Sequence, residues 1–187
     1  MIKKVVSNIE AHKKVIDYFE ANSVETVVRI TNLVLQTFEK NNTIYLCGNG
    51  GSNADCQHLA GEFVGRYHKN RQPLPAIALS TDSALVTCIG NDYSFDEIFS
   101  RQVEALAREG DVLWAFSTSG NSPNILAAAE VAKQKNMQII AFTGRENSKL
   151  EAMADICLCA ASDHTNNSQE VHELAYHIVC DLIDDNY

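Results

Sequence analysis

This sequence predicts a doubly wound α/β sandwich, a parallel sheet with helices packed on both faces, from three observations. Five short and almost continuously apolar runs, at residues 43–47, 76–79, 112–116, 138–142 and 156–159, read as strands covered on both sides. Helix-like segments alternate with them, the pattern of a parallel sheet wound with helices. A glycine-rich turn, Cys47-Gly48-Asn49-Gly50-Gly51-Ser52, closes the first strand and opens a helix. At 187 residues the chain is long enough for one well-buried core. No internal repeat, low-complexity tract or linker divides it, so residues 1–187 are read as a single domain.

The elements follow in order. Residues 1–40 read as two helices. Val5, Ile9, Ile16 and Phe19 recur at helical spacing in the first. Asn22, with Glu25 three residues on, resembles a capping arrangement that opens the second, and Val24, Val27, Val28, Leu35 and Phe38 continue its apolar stripe. The β-branched run at 43–47 is a strand, and residues 53–65 after the glycine turn are a helix carrying His58 and Glu62 one turn apart. The strand at 112–116 leads into Ser117-Thr118-Ser119-Gly120-Asn121-Ser122-Pro123 and a helix over 124–135. There Ser122 suits the N-cap and Pro123 the first helical position. In the last helix, 168–184, a core stripe is formed by Val171, Leu174, Ala175, Ile178, Val179, Leu182 and Ile183. Gln169, Glu173, His177 and Cys180 cluster on the opposite face. Together with Tyr176 they look less like a solvated surface than like a face buried against something else, such as a second subunit.

Composition narrows the partners. A net charge of −9 without a basic run argues against broad binding to nucleic acid or to anionic membranes. An anionic ligand must then be held by local dipoles. Met1-Ile2-Lys3-Lys4 lacks the apolar core of a signal peptide, and no stretch approaches the ~18 apolar residues of a membrane span. The six cysteines (47, 56, 88, 157, 159 and 180) form no Cys-x-x-Cys pair and fall inside regular elements. Reduced thiols in a cytoplasmic protein are the expectation.

Two loops carry the chemistry. A glycine turn between strand and helix lets backbone N–H groups converge where the helix dipole is positive, a geometry that suits a phosphate. The loop at 117–122 offers four hydroxyls, more than capping a helix requires, and reads as a second phosphate cradle without Lys or Arg. A plain polar turn is its bland alternative. Neither loop has the spacing of a Walker A or dinucleotide fingerprint. His58 and Glu62, at i and i+4, share a helix face. Such pairs are common on exposed helices; here the weight comes from their position one or two turns beyond an anion-binding helix start. His177 could add a third group. A carboxylate and an imidazole near a sugar phosphate can move protons between carbon and oxygen, the core of aldose–ketose isomerisation. The same groups, with a Gln oxygen, are acceptable zinc ligands. His12, His68 and His164 have no evident partner and read as structural or solvated.

Taken together, residues 47–52 (Cys-Gly-Asn-Gly-Gly-Ser), 57–62 (Gln-His-Leu-Ala-Gly-Glu), 90–92 (Gly-Asn-Asp), 108–113 (Arg-Glu-Gly-Asp-Val-Leu), 117–122 (Ser-Thr-Ser-Gly-Asn-Ser) and 169–172 (Gln-Glu-Val-His) resemble the phosphoheptose isomerases of the sugar-isomerase (SIS) domain family. The likeness runs nearly end to end. It implies a three-layer αβα sandwich with a five-stranded parallel sheet, flavodoxin-like, plus N-terminal helices used in oligomerisation. It also implies a homotetramer with active sites between subunits. The implied reaction converts sedoheptulose 7-phosphate to D-glycero-D-manno-heptose 7-phosphate, toward ADP-heptose for lipopolysaccharide core. By the same resemblance Ser117, Thr118, Ser119 and Ser122 bind the phosphate, while Asn49, Gly50, Gly51 and Ser52 help hold the sugar. Asn91, Asp92 and Arg66 lie near the substrate. Glu62 is the base acting between C1 and C2, His177 serves the oxygens as acid and base, and Gln169 orients the open-chain sugar. Zinc is implied on His58, Glu62, Gln169 and His177. It would either polarise the substrate oxygens, with Glu62 exchanging roles, or mainly stabilise the site.

One departure stands out: where the family has Arg-x-Gln-Glu, this chain has Asn167-Ser168-Gln169-Glu170, so an expected cation is replaced by Asn167. Two other readings share the resemblance. A non-enzymatic SIS-domain protein that binds the replication initiator lacks an acid at the position of Glu62, which this chain keeps. An isomerase of another sugar phosphate, such as arabinose 5-phosphate, commonly carries extra regulatory domains, for which 187 residues leave no room.

Overall fold

A computed structural model describes residues 1–187, and in it the five apolar runs join one parallel sheet. Its strands are β1 (Ile44–Gly48), β2 (Ala76–Ala78), β3 (Val112–Ser117), β4 (Gln138–Thr143) and β5 (Ile156–Cys159), in the order β2-β1-β3-β4-β5. The first predicted strand moves by one residue at both ends, the next three differ by one residue at their C-terminal ends, and the fifth is as read.

Alternation along the strands divides the core in two. Ile44, Leu46, Val112, Trp114, Phe116, Ile140 and Phe142 project to one face and Tyr45, Cys47, Leu113, Ala115, Ile139 and Ala141 to the other. The first face is covered by α1 (Ile2–Glu39), α2 (Gly51–Val64) and α7 (Thr165–Asp184). The second is covered by α3 (Ser83–Asp92), α4 (Ser100–Leu106), α5 (Pro123–Gln134) and α6 (Lys149–Met153), with a short 3-10 turn at Phe95–Glu97. The result is the three-layer αβα sandwich expected. Burial of apolar side chains on both faces supplies its main drive.

The N-terminal expectation needs correction. Residues 1–40 contain one helix of 38 residues, not two. No glycine or proline interrupts Ile2–Glu39, so nothing terminates the helical ladder. Asn22 is no cap: its Nδ2 donates to the Tyr18 carbonyl one turn back, at 2.8 Å. The last helix also differs in detail. It begins at Thr165, and Tyr176 and Cys180 lie in this chain's own core, while Leu174 is exposed. Because α7 is wedged between α1 and α2, its buried arc is wider than one stripe and takes in two residues assigned to a second subunit.

One buried ion pair ties the end of α7 to the loop after α2. Arg71 Nε lies 2.9 Å from Asp184 Oδ1, with both side chains 2% exposed. Asp184 also accepts from the backbone N–H groups of His68 and Lys69. Burial alone would raise the Asp184 carboxyl, but these donors hold it below the ordinary carboxylate range. Arg71 donates as well to the carbonyls of Glu62 and Phe63, at 2.8 and 2.9 Å. The C-terminal turns of α2 and α7 are therefore held in one frame.

Candidate active site

In a sheet ordered β2-β1-β3-β4-β5, the chain's connections leave in opposite directions from β1 and β3, so a crevice opens beyond their C-terminal ends. Both loops singled out in the sequence sit there. Gly48 pairs with Phe116 in register, so the glycine turn and the serine loop start side by side. A reciprocal pair of amide hydrogen bonds joins them: Asn49 Nδ2 donates to Asn124 Oδ1 at 2.9 Å, and Asn124 Nδ2 to Asn49 Oδ1 at 2.8 Å. Asn49 thus spans the two loops. Gly50 caps α2 with φ +56°, and the buried Ser52 lies in the first turn of that helix.

In the serine loop three hydroxyls converge. Ser117 Oγ lies 3.0 Å from Ser122 Oγ and 3.4 Å from Ser119 Oγ. Ser122 is the N-cap residue of α5 and Pro123 is in its first turn, as read, but the Ser122 hydroxyl makes no capping bond and faces the other serines. Thr118 turns to a small neighbouring cleft shared with Ser119, Arg145, Ser162, Asp163 and Thr165. Arg145, a cation that sequence spacing could not associate with this loop, faces Asp163 at 3.5 Å.

Along the adjoining helices, α2 and α7 bring His58, Glu62 and His177 together, with their ligand-capable atoms all within 4.8 Å of one another. His58 Nε2 lies 3.0 Å from Glu62 Oε1, the contact that i, i+4 spacing on α2 makes possible. The rings of His58 and His177 meet edge-on with centroids 5.0 Å apart. Burial, and then the nearby His58, push the His177 imidazole below its ordinary pKa, only partly offset by Glu173 and Glu62. His177 is therefore neutral at pH 7.

Three neighbours escaped the sequence reading as site groups. Tyr176 Oη lies 3.0 Å from His58 Nδ1. Burial and the charges of Asp55 and Glu173 raise its phenol far above the ordinary range, so it keeps its proton. Glu173 Oε1 lies 3.8 Å from the same nitrogen. Asp55 is buried and accepts from Gln169 Nε2 at 3.2 Å, while its Oδ2 has no partner. Burial pushes its pKa up to about 6, against the lowering effect of the Gln169 bond. No motif marks Asp55 or Tyr176, because each matters through a contact between helices more than 100 residues apart in the chain. Gly51 is the residue that admits Gln169: a Cβ there would collide with the Gln169 amide.

The remaining residues lie further out. Asn91 and Asp92 end α3, both exposed, with Asn91 Nδ2 donating to Asp92 Oδ1 at 2.8 Å. Arg66 is exposed beyond α2 and donates to the His68 carbonyl at 3.2 Å. Asn167, where a cation was expected, is 4% exposed and accepts from Asn166 Nδ2 at 2.7 Å. His12 Nδ1 lies 2.7 Å from Glu170 Oε2, a close approach that is not aligned as a hydrogen bond. The donor set of two imidazoles and one carboxylate suits a zinc ion. Gln169 donates its amide nitrogen to Asp55 and packs its oxygen against Gly51.

Comparison with known proteins gives one consistent picture. Residues 9–144 match the SIS domain family. The phosphoheptose isomerase of Synechocystis sp. is 44% identical over 184 residues, which cover 98% of this chain and 93% of that protein. Two solved phosphoheptose isomerases superimpose on 98% of the chain and over 98% of their own length. That from Neisseria gonorrhoeae has a TM-score of 0.93 at 41% identity, and that from Francisella tularensis 0.95 at 36%.

Proposed function

The chain belongs to the phosphoheptose isomerase family of SIS-domain proteins, and from that premise we propose that it converts sedoheptulose 7-phosphate to D-glycero-D-manno-heptose 7-phosphate. It is an aldose–ketose isomerase, and its product leads toward ADP-heptose and lipopolysaccharide core. The observation that carries the reading is the meeting of a carboxylate with two imidazoles on α2 and α7, the first of which starts at the crevice between β1 and β3.

The phosphate is held by the hydroxyls of Ser117, Thr118, Ser119 and Ser122. The open-chain sugar lies along Asn49, Gly50, Gly51 and Ser52, oriented by Gln169, with Asn91, Asp92 and Arg66 at its margins. Glu62 takes a proton from C1 of the ketose; the electron pair forms the C1–C2 enediol as O2 gains a proton. His177, being neutral, can give its N–H proton to O2 and recover one from O1. Glu62 then returns its proton to C2, which leaves the aldehyde at C1. No net oxidant is needed. Zinc is assigned to His58, Glu62, His177 and Gln169; when bound it supplies a Lewis acid for substrate oxygens.

The whole chain acts as one SIS domain in a cytoplasmic homotetramer, with α1 used in assembly and no role for nucleic acid or membrane. Exposed Val5, Val6, Ile9, Val24 and Val28 on α1 support the oligomer. No helix is long and apolar enough to cross a membrane. The test is incubation with sedoheptulose 7-phosphate, following the aldose heptose 7-phosphate by NMR, with chelator and with added zinc. Glu62→Gln removes the base with little change of shape and should abolish turnover in a folded protein. Near-normal activity in that variant, or no turnover by the folded wild type in either condition, would overturn this reading.

A further inference from the structure

The two ring nitrogens of His58 have different partners, and those partners make incompatible demands when an ion arrives. Nε2 lies 3.0 Å from Glu62 Oε1, and an ionised carboxylate there can only accept. A His58 ring with a single proton, placed on Nε2 toward that carboxylate, leaves a lone pair on Nδ1. That lone pair faces Tyr176 Oη at 3.0 Å, which donates to it. When a metal takes the Nε2 lone pair, the ring must hold its proton on Nδ1 instead, and Nδ1 becomes a donor. Its partner must then accept.

A hydroxyl is one of the few side-chain groups that can do both without moving its heavy atom. A carboxylate at this place would favour only the metal-loaded tautomer, and a backbone carbonyl likewise, as in the usual support of metal-bound histidine. Glu173 Oε1 approaches the same nitrogen but at 3.8 Å, outside hydrogen-bond range. Tyr176 is fully buried, so no water is free to exchange places with its ring.

We propose that Tyr176 is the positioning residue of the metal site: its hydroxyl donates to His58 Nδ1 when the site is empty of metal and accepts from it when metal is bound. The inference rests on the zinc assignment made above. The exchange moves one proton from Nε2 to Nδ1 through solvent and rotates one O–H bond; the net charge of His58 and Glu62 does not change.

The test uses the full chain and zinc as the probe. Zinc affinity is measured by competition with a chromophoric chelator for wild type, Tyr176→Phe and Glu173→Gln. Tyr176→Phe should weaken zinc binding by about tenfold or more, the loss typical of a missing outer partner, and Glu173→Gln by much less. In 15N-histidine-labelled wild type, His58 should show the Nε2–H tautomer in chelator and the Nδ1–H tautomer with zinc. This spectroscopic arm needs no variant and stands even if Tyr176→Phe does not fold. A wild type that binds no zinc would overturn the zinc assignment and this inference with it. Zinc bound equally well by wild type and folded Tyr176→Phe, or one tautomer in both conditions, would overturn the inference alone.

Discussion

Ser119 illustrates how much a single hydroxyl does here. Its oxygen lies 3.4 Å from Ser117 Oγ and it is the exposed member of the trio, open to a ligand. Ser119→Ala should remove roughly one hydrogen bond to a charged group, about 1.5–3 kcal/mol, and raise KM ten- to hundredfold with kcat less affected. Steady-state kinetics checks this; an unchanged KM would take Ser119 out of the phosphate cradle. Residues of this kind were legible in the sequence because their meaning is local. A serine run after a strand, or His58 and Glu62 one turn apart, can be placed from spacing alone. Asp55 and Tyr176 were not legible, because an aspartate and a tyrosine in apolar stretches look ordinary until α7 is laid beside α2. Arg145 was missed for the same reason: it reaches the serine loop from the turn after β4, not from within the loop.

At the scale of elements, α7 carries more than the site. On its inner side His172 is fully buried, with Nε2 donating to the Thr143 carbonyl at 3.0 Å and Nδ1 unpartnered. Burial lowers its pKa from 6.5 to about 4. Between those values the unfolded chain binds a proton that the folded one refuses, so its contribution to stability is lost as pH falls from 6.5 toward 4. The span corresponds to roughly 3 kcal/mol. Asp55 acts oppositely, because its folded pKa is raised to about 6 from 3.8 and the stability it brings at low pH is lost as pH rises between them. The two partly cancel in the wild type. A His172→Gln variant isolates the first: in chelator, from pH 7 to pH 4, it should lose about 3 kcal/mol less unfolding free energy than wild type. Parallel urea-denaturation curves across that range would refute it. The elements themselves were mostly legible, since period-2 and period-3.6 patterns need no long-range knowledge. The error in α1 came from reading a capping pair at Asn22 and Glu25 where no helix breaker stands. The error in α7 came from assuming a single buried stripe on a helix that has two neighbours.

For the whole molecule, residues 2–10 at the start of α1 are exposed throughout, including Ile2 at 80% and Val5 at 57%. Helices draw most of their stability from packing, so a helical segment with a bare apolar side calls for a partner surface. Charges at Val5 and Ile9 together, Val5→Asp with Ile9→Asp, should shift the assembly to smaller species in size-exclusion chromatography with light scattering. An unchanged oligomer size would remove this end of α1 from the proposed interface. The proposed use of α1 in assembly is not legible in its own pattern, because an apolar stripe looks the same whether its cover comes from the same chain or another. The serine loop, finally, has a kinetic consequence. As the proposed phosphate cradle it would meet a charge of about −1.5 to −2 with neutral hydroxyls, on a chain of net charge −9, while Arg145 is matched by Asp163. A net charge of −9 then opposes the approach of an anionic substrate at long range. Raising ionic strength from about 0.01 M to 0.1 M shortens the screening length from about 30 Å to about 10 Å. Encounter should therefore quicken with added salt, and kcat/KM rise, the reverse of an enzyme that gathers anions through a basic funnel.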